Sequence, residues 1–156
     1  MILPCTREDL ELFGRRIQYA PTTHARGIKV VDNNDVKVVI AYDNWTMSSV
    51  QMHFWIGDPK YFTRRVLREA FGYPFSQCGR TIVVGVIPSD NEESISIATR
   101  AGFVEAYRFV GGWDEGVDLV MHTMHKNDCK WLADRGTLGA AGATRPTSRS
   151  LRMANG

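Results

Sequence analysis

Cysteine is scarce in this chain of 156 residues, and the three present, Cys5, Cys78 and Cys129, form no framework. An odd number at irregular spacing, with no C-x-x-C pair, excludes a disulfide scaffold and a thiolate zinc site and fits a reducing compartment. No apolar run is long enough to span a bilayer. The opening MILPCTRED lacks a long apolar segment, so we expect no signal peptide and a cytoplasmic body. Excess charge is also missing, with a formal net charge of +2. The last 24 residues hold four arginines against one aspartate, which leaves the rest slightly negative. Such a body lacks the clustered cationic face that phosphate contacts need, so a nucleic-acid-binding core is not expected. His122 and His125 lie three apart on an expected strand, so they face opposite ways and cannot share a metal, and none is expected. There is no G-x-S-x-G elbow and no Walker loop. The four tryptophans read as packing residues rather than a base-stacking platform.

What is present is concentrated in residues 81–103, TIVVGVIPSDNEESISIATRAGF. Ile82, Val83, Val84, Val86 and Ile87 form a continuous apolar run that suits a strand covered on both faces. Ser89, Asp90 and Asn91 each offer a helix-capping oxygen, and Glu92 and Glu93 suit the positive end of the helix that follows. Gly102 is a good residue to end it.

Around this unit the periodicity predicts a short strand over 1–3 and a helix opened by Thr6, with Asp9 completing a capping box and Gly14 denting its face. Residues 28–31 and 36–42 form a hairpin around Asp32-Asn33-Asn34-Asp35. Residues 47–56 make a long strand in which Met52, Phe54 and Ile56 alternate with Gln51, His53 and Trp55. A helix begins near Lys60 and breaks at Gly72-Tyr73-Pro74. Strands over 104–113 and 117–125 follow, and Trp131 anchors the close of a body spanning 1–132. In residues 133–156, 14 of 24 positions are Ala, Gly, Ser or Thr. With almost nothing to bury, that tail is extended alone or ordered by a partner.

The order β-α-β-β-β-α-β-α-β-β, with the strand–Asn–helix–Gly-Phe unit, resembles the GNAT superfamily of N-acetyltransferases. TRRVLREAFGYPFSQCG, IPSDN and CKWL look most like its bacterial and phage branch. The resemblance implies an α+β fold of three layers, with a mixed, mostly antiparallel sheet of about seven strands. It also implies acetyl-CoA as co-substrate. In the family a Q/R-x-x-G-x-G/A loop after the fourth strand takes the pyrophosphate at a helix N-terminus. Here Lys60 falls at the Gln/Arg position, Thr63 and Arg65 replace the glycines, and Arg64 adds a further cation. Those side chains either replace part of the lost backbone nest or form an ordinary basic face. The resemblance further implies that Asn91 and the backbone of Phe54, Trp55 and Ile56 hold the pantetheine arm.

Many members carry a tyrosine four residues before the Gly of Gly-Phe, to protonate the leaving thiolate. Here that position is Ala98. Ser94 and Ser96, on the same helix, either donate instead or merely cap and solvate it. For the base, His53 sits on the strand where the family places bases, or it is a half-buried strand histidine. Nothing in their spacing favours Glu69 or Glu105. Two readings follow. One is an acetyl-CoA-dependent N-acetyltransferase acting by direct transfer to an unidentified amine. The other is a catalytically weak or inactive GNAT-fold structural or adaptor protein, for instance inside a phage particle, assembling through residues 133–156 as a homo-oligomer or virion component. This second reading predicts no CoA-shaped cleft between the fourth and fifth strands. Nucleic-acid contact through the tail arginines is a minor third.

Overall fold

The computed structural model describes residues 1–132. The tail over 133–156, and with it the expectation of partner-ordered assembly, lies outside the described residues. Among the described residues no helix is long and apolar enough to cross a membrane.

Strand β1 (Ile2–Pro4) leads into helix α1 (Arg7–Ile17). Thr6 caps α1 as expected: its Oγ1 accepts from the Asp9 amide at 3.1 Å, and the Asp9 carboxylate accepts from Thr6 N at 2.7 Å. Strands β2 (Arg26–Asp32) and β3 (Asp35–Asp43) make the hairpin, turning through Asn33 and Asn34, both at positive φ. Strand β4 is Ser49–Ile56.

The next helix starts later than its sequence suggests. The Asp58 carboxylate accepts from Lys60 N at 3.1 Å and nucleates a tight 3-10 turn over Pro59–Tyr61, so helix α2 (Arg64–Gly72) begins only after Thr63. Helix α2 ends at Gly72, at the expected Gly72-Tyr73-Pro74 break, and the chain runs on past Pro74. It continues as one wide turn over Tyr73–Gln77, because proline in the first turn of a helical segment forfeits no needed donor. Strand β5 (Ile82–Pro88), helix α3 (Glu92–Ala101), and strands β6 (Val104–Asp114) and β7 (Val117–His125) complete the body. Gly102 ends α3 at φ 108°, a left-handed position that suits glycine, and the Phe103 amide bonds back to Ala98 O at 3.0 Å.

The seven strands form one sheet in the order β1-β2-β3-β4-β5-β7-β6. Neighbours are antiparallel except β4 and β5, which run parallel. Helix α1 covers one face, packing Leu10 and Phe13 on Ala25, Val39 and Ala41. Helices α2 and α3 cover the other, where Val66, Phe71, Ala98 and Phe103 meet Ile40, Tyr42, Val50 and Val83. Each large side chain buried this way contributes about 1.5–3 kcal/mol. Trp131 closes the body by donating its indole N–H to Ala101 O at 2.6 Å.

This topology opens the sheet at one place. β4 and β5 pair only through Ser49, Val50 and Gln51 with Ile82, Val83 and Val84. Beyond that, β4 follows β3 as far as Ile56 and β5 follows β7 as far as Pro88. The two strands diverge and leave a wedge whose walls are two strand edges.

Candidate active site

A cleft of about 590 Å³ fills the wedge. Its α1-side wall carries Arg16, Tyr19, Gln51 and His53, its other wall Phe54, Asn91, Ser94, Ala98 and Phe103, and Trp113 reaches it from β6. The adaptor reading, which predicts no CoA-shaped cleft between the fourth and fifth strands, gains no support from this geometry.

His53 points to the α1 face of β4, opposite Ala41 in register. Its ring stacks on Tyr19, with centroids 3.9 Å apart and planes 23° from parallel. The His53 Nε2 is buried and has no hydrogen-bond partner among the described residues. Burial lowers the imidazole pKa to about 4, although the nearby Asp43 charge pulls the other way. The ring is therefore neutral at physiological pH, and either tautomer leaves an unspent lone pair or N–H at Nε2.

Behind Tyr19 stands Asp43, fully buried at the end of β3. The Tyr19 hydroxyl donates to its Oδ2 in a short hydrogen bond. The same carboxylate accepts from the Thr22 amide at 2.8 Å, the Thr22 hydroxyl, and the Asn44 amide at 2.9 Å. Burial alone would raise the Asp43 pKa, but donors from Thr22, Tyr19 and Asn44 outweigh it and hold the group below the ordinary carboxylate range. Burial, and then the bond to Asp43, push the Tyr19 phenol well up, so it remains a donor. Gly14 allows this arrangement. Its carbonyl accepts from the Tyr19 amide at 2.8 Å, and a Cβ on it would lie 2.2 Å from Tyr19 O. The residue read as a dent in α1 is a site of close backbone approach.

On the opposite wall, Asn91 is the cap of α3. Its Oδ1 accepts from Ser94 N at 3.1 Å, which leaves its NH₂ end as the donor. Ser89 is instead tied to β7, accepting from Asp118 N at 2.9 Å. Ser94 lines the cleft one turn before Ala98. Ser96 does not: it is exposed, because residues two apart on a helix point to different sides.

The other expected residues divide in space. Phe54 lines the wedge. Trp55, on the opposite face by strand alternation, lies under the Arg16 guanidinium at 4.7 Å and lines a separate cleft. Ile56 lines a groove of about 300 Å³ between the start of α2 and α3, with Phe62, Ile97, Arg100 and Trp131. Thr63 caps α2 through Oγ1, which accepts from Val66 N at 3.4 Å. Arg64 and Arg65 are exposed in the first turn, where helix amides lack intrahelical partners and the dipole is positive. Lys60 belongs to the preceding turn, not to α2. It pairs with Asp58 at 3.3 Å and stands 4.9 Å over the Tyr61 ring. Glu105 pairs with Arg108 at 3.0 Å, and neither it nor Glu69 lines the wedge.

Sequence reasoning alone missed Arg16, Tyr19, Thr22 and Asp43. Gln51 was within reach, since alternation sets it on the face of His53.

No family model and no curated protein matches the chain by sequence. Solved structures do match in fold. A chimera of spermidine N-acetyltransferase SpeG from Vibrio cholerae and hSSAT aligns over 81% of this chain and 97% of its own, at 14% identity and a TM-score of 0.64. The spermidine/spermine N-acetyltransferase SpeG from Vibrio cholerae aligns over 80% and 91%, at 15% identity and a TM-score of 0.61. The Campylobacter jejuni N-acetyltransferase PseH, in complex with acetyl coenzyme A, aligns over 76% and 78%, at 14% identity and a TM-score of 0.53. With its divergent β4–β5 wedge and Asn91-capped helix, the chain has the fold of the GNAT N-acetyltransferases.

Proposed function

We propose that the chain is an acetyl-CoA-dependent N-acetyltransferase that moves the acetyl group directly from the thioester to an amine. The observation that carries this reading is the wedge. Two strand edges diverge around a cleft that holds a neutral, unpartnered imidazole on one side and a helix-borne hydroxyl on the other. An amide-bearing arm such as pantetheine can pair with those edges as an added strand. The N-terminus of α2, with Arg64 and Arg65, suits its phosphates without a glycine nest. The fold neighbour PseH, bound to acetyl coenzyme A, supports the choice of co-substrate.

The amine enters beside Tyr19 and His53. Its nitrogen attacks the thioester carbonyl, forming the C–N bond. His53 accepts the amine proton, directly or through water, and passes it on to solvent, although a pKa of about 4 makes it a weak base for this step. As the tetrahedral intermediate collapses, the C–S bond breaks and the thiolate takes a proton from Ser94, which is reprotonated from solvent. Ala98 supplies no such group. Alignment of the two reactants contributes most of the rate, since little covalent chemistry is asked of the protein.

The test is ligand-linked stability. A ligand that prefers the folded state at 100 times its Kd adds about 2.7 kcal/mol. Acetyl-CoA should therefore raise the melting temperature, and an amine substrate should then release free coenzyme A. An unchanged melting temperature at millimolar acetyl-CoA would sink this reading.

A further inference from the structure

The charge inventory of the cleft speaks to the acceptor. Two of the fold neighbours are spermidine acetyltransferases, and recognising a polycation calls for free carboxylates. The described residues that line the wedge include no carboxylate, and their single fixed charge is the Arg16 guanidinium. Asp43 stands behind Tyr19, fully buried and already accepting from Tyr19, Thr22 and Asn44.

Arg16 lies in the last turn of α1 and lines both the wedge and the neighbouring cleft of about 600 Å³. Its guanidinium is stacked over Trp55, and no carboxylate among the described residues pairs with it. Stacking occupies the flat face of the group and leaves its N–H edge for a planar anion. The neighbouring cleft does contain acids, but each is already engaged: Asp9 with Lys29 at 2.7 Å, Asp35 with Lys37 at 3.1 Å, and Asp58 with Lys60 at 3.3 Å. Among the described residues a polycation finds no carboxylate along the wedge and only lysine-paired ones in the neighbouring cleft, and it meets Arg16 at their junction.

We infer that the acceptor is an amine that also carries a carboxylate, bound by Arg16 while the amine stands beside His53, and that polyamines are disfavoured. This rests on the acetyl-transfer reading above. It sets the substrate class of the same site apart from that of the spermidine enzymes sharing its fold.

The test uses the full chain and three probes of one length: aminohexanoate, hexylamine and hexamethylenediamine. Coenzyme A release gives kcat/KM for each, and calorimetry on the same protein gives acetyl-CoA binding. Wild type should favour aminohexanoate by about tenfold or more over the other two. Arg16→Ala should erase that preference, Arg16→Lys should keep part of it, and Arg16→Glu should turn it toward the diamine. Acetyl-CoA binding and circular dichroism should stay unchanged in all three variants. The inference is overturned if the diamine is used as well as aminohexanoate, if aminohexanoate is not turned over, or if Arg16→Ala leaves the ratio intact. In those cases acetyl-CoA binding would leave the acetyltransferase reading standing. Absence of acetyl-CoA binding would remove both.

Discussion

The ring of Tyr19 lies against the ring of His53 at a centroid distance of 3.9 Å. The Tyr19 hydroxyl is anchored on buried Asp43, so a residue following α1 fixes the one imidazole that faces the wedge. His53 is therefore held by a stacked ring, and its enclosed Nε2 has no hydrogen-bond partner among the described residues.

That division of labour separates two substitutions. Tyr19→Phe keeps the ring over His53 and removes one donor from a buried carboxylate. It should cost about 1–3 kcal/mol of stability in urea unfolding and retain most transfer activity. Tyr19→Ala removes the ring as well and should lower kcat further than Tyr19→Phe does. Equal loss of activity in the two variants would mean that the hydroxyl, not the stack, serves the site.

Acid should begin to weaken the fold above the pH range in which carboxylates ordinarily titrate. His53 has a pKa of about 4 in the folded protein against an ordinary 6.5. Between those values the unfolded chain holds the proton and the folded one does not, so stability rises with pH across that window. It is complete above about 6.5 and falls as pH drops toward 4, by up to roughly 3 kcal/mol. Asp43, whose folded pKa is lowered, adds a further loss at still lower pH. Urea unfolding at about pH 7.5, 5.5 and 4.5 should show the upper window in wild type and not in His53→Phe. Parallel loss in both proteins would rule out His53 as its source.

The residues that were readable in advance are those whose physics is local. The Thr6–Asp9 capping box, the β5 apolar run and Gly102 each act within a few residues, so spacing alone locates them, and it narrows the α3 cap to Ser89, Asp90 or Asn91. The Tyr19–Asp43 bond joins positions 24 apart, and no periodicity connects them. Helix α2 starts later than its periodicity suggests because Asp58-Pro59 supports a 3-10 turn that competes with the helix, and Thr63, three before Val66, marks the true cap. Ser96 is a candidate by residue type alone. The helical period excludes it, since Ser94 and Ala98 share a face that Ser96 cannot.

Gly14 offers a test of how tightly α1 and the Tyr19 segment are packed. A Cβ there would meet backbone, the Tyr19 carbonyl oxygen at 2.2 Å, so the chain must shift rather than a side chain rotate. Gly14→Ala should therefore destabilise by about 1–3 kcal/mol and should lower transfer by displacing Tyr19 from His53. Gly72→Ala is the matched control. Gly72 closes α2 with helical backbone angles, and nothing lies within 4 Å of an added Cβ. It should stabilise by about 0.4–1 kcal/mol, because alanine loses less chain entropy on folding. If thermal melts show both substitutions to be neutral, the close approach at Gly14 is not a constraint on the fold.

The two serines of α3 separate the proposed proton donor from simple helix solvation. Ser94 faces the wedge and Ser96 faces water, so a hydroxyl needed at the leaving thiolate must be that of Ser94. Ser94→Ala should lower kcat by about 10²-fold, the lower end of what a positioned acid contributes, with little change in acetyl-CoA affinity. Ser96→Ala should leave kcat and KM where they are. Leaving-group dependence gives the sharper readout. An acetyl thioester of a more acidic thiol leaves without help, so it should restore Ser94→Ala more than wild type. If both thioesters suffer equally in Ser94→Ala, the hydroxyl contributes packing or capping, and water delivers the proton.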